Sequence, residues 1–226
     1  MSLPTPERVR LCKKAMQVSD LYFRLKLITF GFLSPVFLFA GFLFASPYFL
    51  KVTEPFHKSD VAILEVQTLP SKKILKSVSA LYQKKTFDRI ILVIREDKTE
   101  NNLLTDTEKE QKLTTLLSSF NINSQIIQVL KVSPSRLGDS DEAAKAILKL
   151  IVSDNLKSIL LLTKEFESKR ILKVYQKNLS SLPVQISAYP FPSEFTSSNW
   201  FLSDDGFKEV SGEFLRYLYF SIRGII

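Results

Sequence analysis

The chain has one cysteine, one histidine and one tryptophan in 226 residues, and only six glycines. Each scarcity removes a class of chemistry. A lone cysteine, Cys12, rules out a disulfide within the chain, so a domain outside the cytoplasm must rest on its own core. Cys12 reads as an inert or lipidatable residue beside a membrane rather than as a nucleophile. The only histidine, His57, stands next to the end of the apolar run, so histidine-dependent acid–base or metal chemistry in a pocket of the domain is not expected. No glycine occurs between Gly41 and Gly138, which leaves no Gly-rich loop through which backbone could approach a phosphate closely. Over residues 52–226 no Lys/Arg run is interleaved with aromatics, so nucleic acid is not an expected partner.

What the chain has in abundance is phenylalanine, and it is concentrated. Leu27 to Leu50 is an uninterrupted uncharged run between Lys26 and Lys51, with seven Phe and five Leu. As a helix it reaches about 36 Å, enough for a hydrocarbon core of about 30 Å. Pro35 and Pro47 are tolerable in such a helix. The organisation that follows is a basic cytoplasmic tail (1–26), a transmembrane helix (27–50) and one domain (52–226). The tail carries six basic residues against Glu7 and Asp20, which accounts for about half of the net charge of +8. Positive charge is retained in the cytoplasm, so the expected location is the cytoplasmic (inner) membrane, single-pass, with the N-terminus inside and the main domain outside. A cleaved signal peptide is the rival reading. Its best cut, after Ala45, has bulky Leu43 where a small residue is needed, and the apolar run is long for a signal. The tail itself can be helical, with Thr5 as cap and Pro6 in the first turn, lying on the lipid surface or solvated. The bilayer is thus the first expected partner.

Beyond residue 52 the pattern alternates. Five β-branched or apolar runs read as strands: 61–66, 90–94, 125–132, 158–162 and 184–188. Between them lie apolar faces at three-and-four spacing: Ile74/Leu75/Val78/Leu81/Tyr82, Leu113/Leu116/Leu117/Phe120, Ala143/Ala144/Ile147/Leu148/Ile151 and Ile171/Leu172/Tyr175/Leu179. Strands separated by crossover helices predict an α/β, Rossmann-like three-layer domain with a mostly parallel sheet. Pro70 is expected to open the first of these helices, and Asp139 or Ser140 to cap the third. A last helix over 207–222 carries Phe214, Tyr217, Leu218 and Phe220, for core packing or for return to the membrane surface. In such a sheet ligands sit beyond the carboxyl ends of the strands. That directs attention to Glu65 and Gln67, to Arg95–Asp97, to Ser133–Glu142 and to Thr163–Arg170.

These residues carry a resemblance. Asp60–Leu64 followed by Ser79-Ala80-Leu81-Tyr82, then Arg89–Ile94, Ser140-Asp141-Glu142-Ala143-Ala144, the stretch Thr163-Lys164-Glu165-Phe166-Glu167-Ser168-Lys169-Arg170, and finally Trp200 and Glu213 resemble, in order and spacing, the YdcF-like family of SanA/ElyC-type envelope proteins. The likeness covers about 58–222. It implies an extracytoplasmic domain in envelope or cell-wall homeostasis, with an envelope protein or an anionic small molecule as partner. The chain departs from the family in lacking Gly-rich turns after the first two strands and in having Glu167 where the family has histidine. A non-catalytic or weakly ligand-binding domain is therefore expected, with no cofactor and no metal. An enzyme acting on a phosphorylated or lipid-linked envelope precursor is the alternative.

Each candidate residue has two readings. Arg170 is either a clamp for a carboxylate or phosphate, or a partner of Glu167. Glu142 is a base or ligand contact, or a carboxylate favoured by the start of its helix. Ser140 is a cap rather than a nucleophile, having no histidine to activate it. Thr163 contacts ligand or simply ends a strand. Trp200 covers the pocket mouth or belongs to the core. Glu65, Glu96 and Asp97 do not have the spacing of a metal loop.

Overall fold

A computed structural model describes residues 6–66, 68–96, 105–135 and 138–226, with side chains from residue 20 onward. The chain divides into two compact units, 1–45 and 46–226. In the first, α1 (Pro6–Leu50) makes the basic tail and the apolar run one continuous helix. Pro35 and Pro47 lie within it without ending it. Thr29 donates to the Leu25 carbonyl at 2.7 Å, and Arg24 pairs with Asp20 at 3.1 Å, both within the helix. The stretch from Asp20 to Leu50 is long and apolar enough to cross a membrane, and its most apolar 18-residue window is not buried in protein. The expected Thr5 cap, like Gln67 and Asp97, lies outside the described residues.

The second unit begins earlier than residue 52, because the last turn of α1 belongs to it. Leu50 is fully buried, and the Phe49 ring meets Tyr217 edge-on at 4.8 Å.

The sheet is five-stranded and entirely parallel: β1 (Ser59–Val66), β2 (Phe87–Arg95), β3 (Ile127–Val132), β4 (Ser158–Lys164) and β5 (Gln185–Phe191), in the order β3-β2-β1-β4-β5. Strand period two sends alternate residues to opposite faces. On one face Val61, Ile63, Ile91, Val93, Ile159 and Leu161 pack against α4 (Asp139–Asp154) and α5 (Ser168–Asn178). On the other, Ala62, Leu64, Ile90, Leu92, Leu160 and Leu162 meet α2 (Lys72–Gln83) and α3 (Asp106–Ser119). The three-layer α/β architecture read from the sequence is the one observed, with the four helical faces turned as their spacing required.

Details at the ends of elements differ from expectation. Ser71, not Pro70, caps α2 by accepting from the Ile74 N–H. The third run starts with a 3₁₀ turn (Ser124–Ile126) before β3. The N-cap of α4 is Gly138, so Asp139 and Ser140 lie inside the helix and neither caps it. Gly138 sits at φ +109°, and a Cβ there would lie 2.7 Å from the Phe220 ring. The last helix, α6 (Asp204–Ile222), starts at Asp204 because the Ser203 hydroxyl accepts from the Gly206 N–H. Within α6, Tyr217 and Phe220 are core residues, while Leu218 is exposed.

Candidate functional site

Between β1 and β4 the strand order reverses: the chain builds outward on one side to β3 and then returns to add β4 and β5. Crossovers on opposite faces leave a crevice at the carboxyl ends of those two strands. A cavity of about 290 Å³ occupies it, between the β1–α2 turn, the end of β4 and the segment after β5. Leu64, Leu162, Ile171 and Phe191 supply apolar wall, and the start of α2 (Ser71, Lys73) one rim.

The floor of the cleft holds polar groups that the fold leaves unmatched. Ser140 donates to Glu65 Oε2 at 2.7 Å, which is the use of a hydroxyl expected to cap α4. The second oxygen, Glu65 Oε1, is buried without a hydrogen-bond partner, and so is Thr163 Oγ1 at the end of β4. The Tyr175 hydroxyl approaches the same carboxylate without reaching hydrogen-bond geometry and also has no partner. Among the described residues the only other such atom is Ser46 Oγ, in the last turn of α1. Burial pushes the Glu65 carboxyl above its ordinary value, and Ser140, Tyr175 and Arg170 only partly oppose it. Burial, and then the Glu65 charge, pushes the Tyr175 hydroxyl well above its own. A buried polar atom without a partner costs about 1–3 kcal/mol. Two such atoms line the cavity, and the Tyr175 hydroxyl lies near the same carboxylate.

The remaining candidates have other employment. Arg170 does not pair with Glu167 and does not line the cleft. Its Nε and Nη2 both donate to the Glu213 carboxylate, the latter at 3.3 Å, and its guanidinium lies 5.1 Å from the Phe220 ring centre. Burial disfavours the guanidinium charge, yet the Glu213 carboxylate more than offsets this and raises Arg170. Burial likewise lifts Glu213 above its ordinary value, and the Arg170 guanidinium only partly pulls it back. Glu167 does line the cleft, at the N-cap of α5, and meets Lys164 at 3.5 Å. Glu142 is outside the cleft and pairs with Lys145 at 3.0 Å. Trp200 is fully buried and stacks on Phe207, so it is core and not a cover. Glu96 accepts from Ser133 at 3.2 Å. No group of three or more His, Cys, Asp or Glu among the described residues is arranged to hold a metal ion.

Sequence reasoning missed four residues of this region. Lys73 and Glu194 stand at the rim, and Glu209 reaches the cleft from α6, raised by burial and bonded to Ser193 at 3.4 Å. No local signal marks these three. Tyr175 was assigned to a core face by its spacing, and its hydroxyl was the overlooked signal. The cleft thus presents four carboxylates, Glu65, Glu167, Glu194 and Glu209, against two lysines, Lys73 and Lys164. No protein-family model matches the chain, and no curated protein matches it.

Proposed function

We propose that this chain is a single-pass protein of a bacterial cytoplasmic membrane whose α/β domain, facing outward, is a YdcF-like envelope domain that binds a small ligand without transforming it. The observation that carries the binding reading is the pair of unpartnered buried oxygens, Thr163 Oγ1 and Glu65 Oε1, on the floor of the cleft between β1 and β4. The non-catalytic reading is supported by the cleft lining, which among the described residues has no histidine and no arginine, Arg170 being paired with Glu213. The excess of carboxylates favours a neutral, hydroxyl-bearing ligand such as a sugar. A phosphorylated or lipid-linked envelope precursor is the second reading. Lys73 and Lys164 support it, as do the starts of α2 and α5, where helix dipoles favour negative charge.

Thermal unfolding of the full chain in detergent tests this, with N-acetylglucosamine and inorganic phosphate as probes. The sugar should raise the midpoint of the wild type and leave Thr163→Val unmoved. A shift with phosphate alone would select the second reading, and no shift with either would remove ligand binding at this cleft. For orientation, a reporter active only outside the cytoplasm should work when fused after Ile226 and fail when fused at Ala15.

A further inference from the structure

The exposed side of α6 is apolar in a regular way. Leu215, Leu218, Tyr219 and Ile222 recur at helical spacing and all face outward, with Leu215 65% and Ile222 85% exposed. The buried side of the same helix, Val210, Glu213, Tyr217 and Phe220, already serves the core, while the ring contacts of Tyr219 on the outer stripe are with its near neighbours Phe220 and Arg223. Such a stripe on a water-facing helix marks a surface that something else covers.

Three observations identify the cover. The first is position. If 27–45 crosses the bilayer, its 19 residues reach about 28 Å, which fills the hydrocarbon core and leaves Ser46–Leu50 at the headgroups. That turn is where α6 docks: Phe49 meets Phe214 at 6.2 Å and Tyr217 at 4.8 Å. The second is charge. From Leu215 to Ile226 there is no acidic side chain, while Arg223 and Arg216, the latter 64% exposed although 3.5 Å from Glu213, flank the stripe. From α5, Lys169 sits 4.3 Å above the Phe49 ring and Lys173 5.5 Å from that of Tyr217. The third is residue type, since Tyr48, Phe49 and Tyr219 are exposed aromatics of the kind that occupy headgroup depth. We propose that the carboxyl-terminal half of α6 lies on an anionic lipid surface, its Leu/Tyr/Ile stripe at the acyl boundary and its basic flank on lipid phosphates. This rests on the reading of the 27–50 helix as membrane-spanning, with its last turn at headgroup depth, and is independent of the cleft.

The experiment uses the full chain carrying Cys12→Ser and Ile222→Cys, labelled with a small fluorophore and reconstituted in vesicles containing headgroup-proximal spin-labelled lipid. The same label at Ser119→Cys, on α3, is the reference. Resistance to alkaline carbonate extraction is scored in parallel. Expected is quenching at 222 but not at 119, roughly twofold stronger when phosphatidylglycerol is mixed into phosphatidylcholine, and losing that increment in high salt or on Arg216→Glu with Arg223→Glu. Absence of quenching at 222 in a carbonate-resistant protein would overturn the docking while leaving the span intact. Quenching indifferent to phosphatidylglycerol and to charge reversal, or self-quenching between labelled copies in place of lipid quenching, would overturn it too. Release by carbonate would overturn the span itself, and the docking with it.

Discussion

The paired strands β1 and β4 end in opposite ways. Where they begin, Asp60 Oδ2 accepts from the N–H groups of Lys157 at 2.7 Å and Ser158 at 2.9 Å, and Ser158 Oγ accepts from the Asp60 N–H. Burial works against the Asp60 charge, yet these bonds outweigh it and hold the carboxyl below its ordinary value. Where the strands finish, Glu65 has one bond from Ser140, one empty oxygen, and a carboxyl raised by burial. Two carboxylates on one strand, five residues apart, are moved in opposite directions by how many donors reach them. The first end is satisfied and holds the sheet together. The second is left incomplete, and that incompleteness is the strongest pointer to function in the molecule.

The largest test of this contrast concerns the buried pair behind the cleft. Arg170→Ala should destabilise the full chain by about 3–5 kcal/mol in denaturant melts, because the buried Glu213 then keeps only its long 3.5 Å contact with the exposed Arg216. Arg170→Met combined with Glu213→Leu should recover most of that loss. A folded, fully stable Arg170→Ala would mean that the pair is not structural and would reopen its reading as a ligand clamp. Next come the sheet faces: Leu161→Ala and Ile147→Ala should each cost about 2–5 kcal/mol, and neutrality of both would contradict the packing described.

At the satisfied end, Asp60→Asn should cost about 1–2 kcal/mol at neutral pH. A depressed carboxyl contributes stability that is present above its ordinary value of 3.8 and lost as pH falls, so wild type and variant should converge in acid. The smallest effect has the opposite sign. A raised carboxyl contributes stability that is full below its ordinary value of 4.5 and lost as pH rises through its folded-state value. Glu65→Gln should therefore raise the neutral-pH melting midpoint by about 2–4 °C, with the gain vanishing in acid. A lower midpoint at neutral pH would show that Glu65 is needed as a charge and would erase the contrast.

The sequence made the layers legible because each helix and strand buries only one periodic face, and period is a local property. Leu75, Val78 and Leu81 sit where their spacing put them, as do Ile147 and Ile151. The crevice was legible in outline for a similar reason, since strand ends can be located from the runs themselves; Thr163 and Glu167 do line it. Partnerships were not legible. Arg170 and Glu213 are 43 residues apart, and nothing near Arg170 distinguishes a distant carboxylate from Glu167 three positions away. Ser140 was read as a cap by its neighbours along the chain, but the cap position fell to Gly138 and the hydroxyl to a carboxylate 75 residues earlier. Glu209 reached the cleft only through the path of α6.

The last turn of α1 has a consequence for the order of events during synthesis. Phe49 is made 165 residues before Phe214, the nearer of its two α6 ring partners in sequence. At about 5–20 residues per second, that is a delay of about 8–30 s. Throughout it the turn that ends the apolar run is exposed to whatever surrounds the nascent chain, with no α6 to cover it. The sheet can assemble strand by strand in that interval, but this seam closes only when residues 214–217 arrive. A ribosome stalled before residue 210 should accordingly leave this turn uncovered by α6 and sensitive to protease near Leu50.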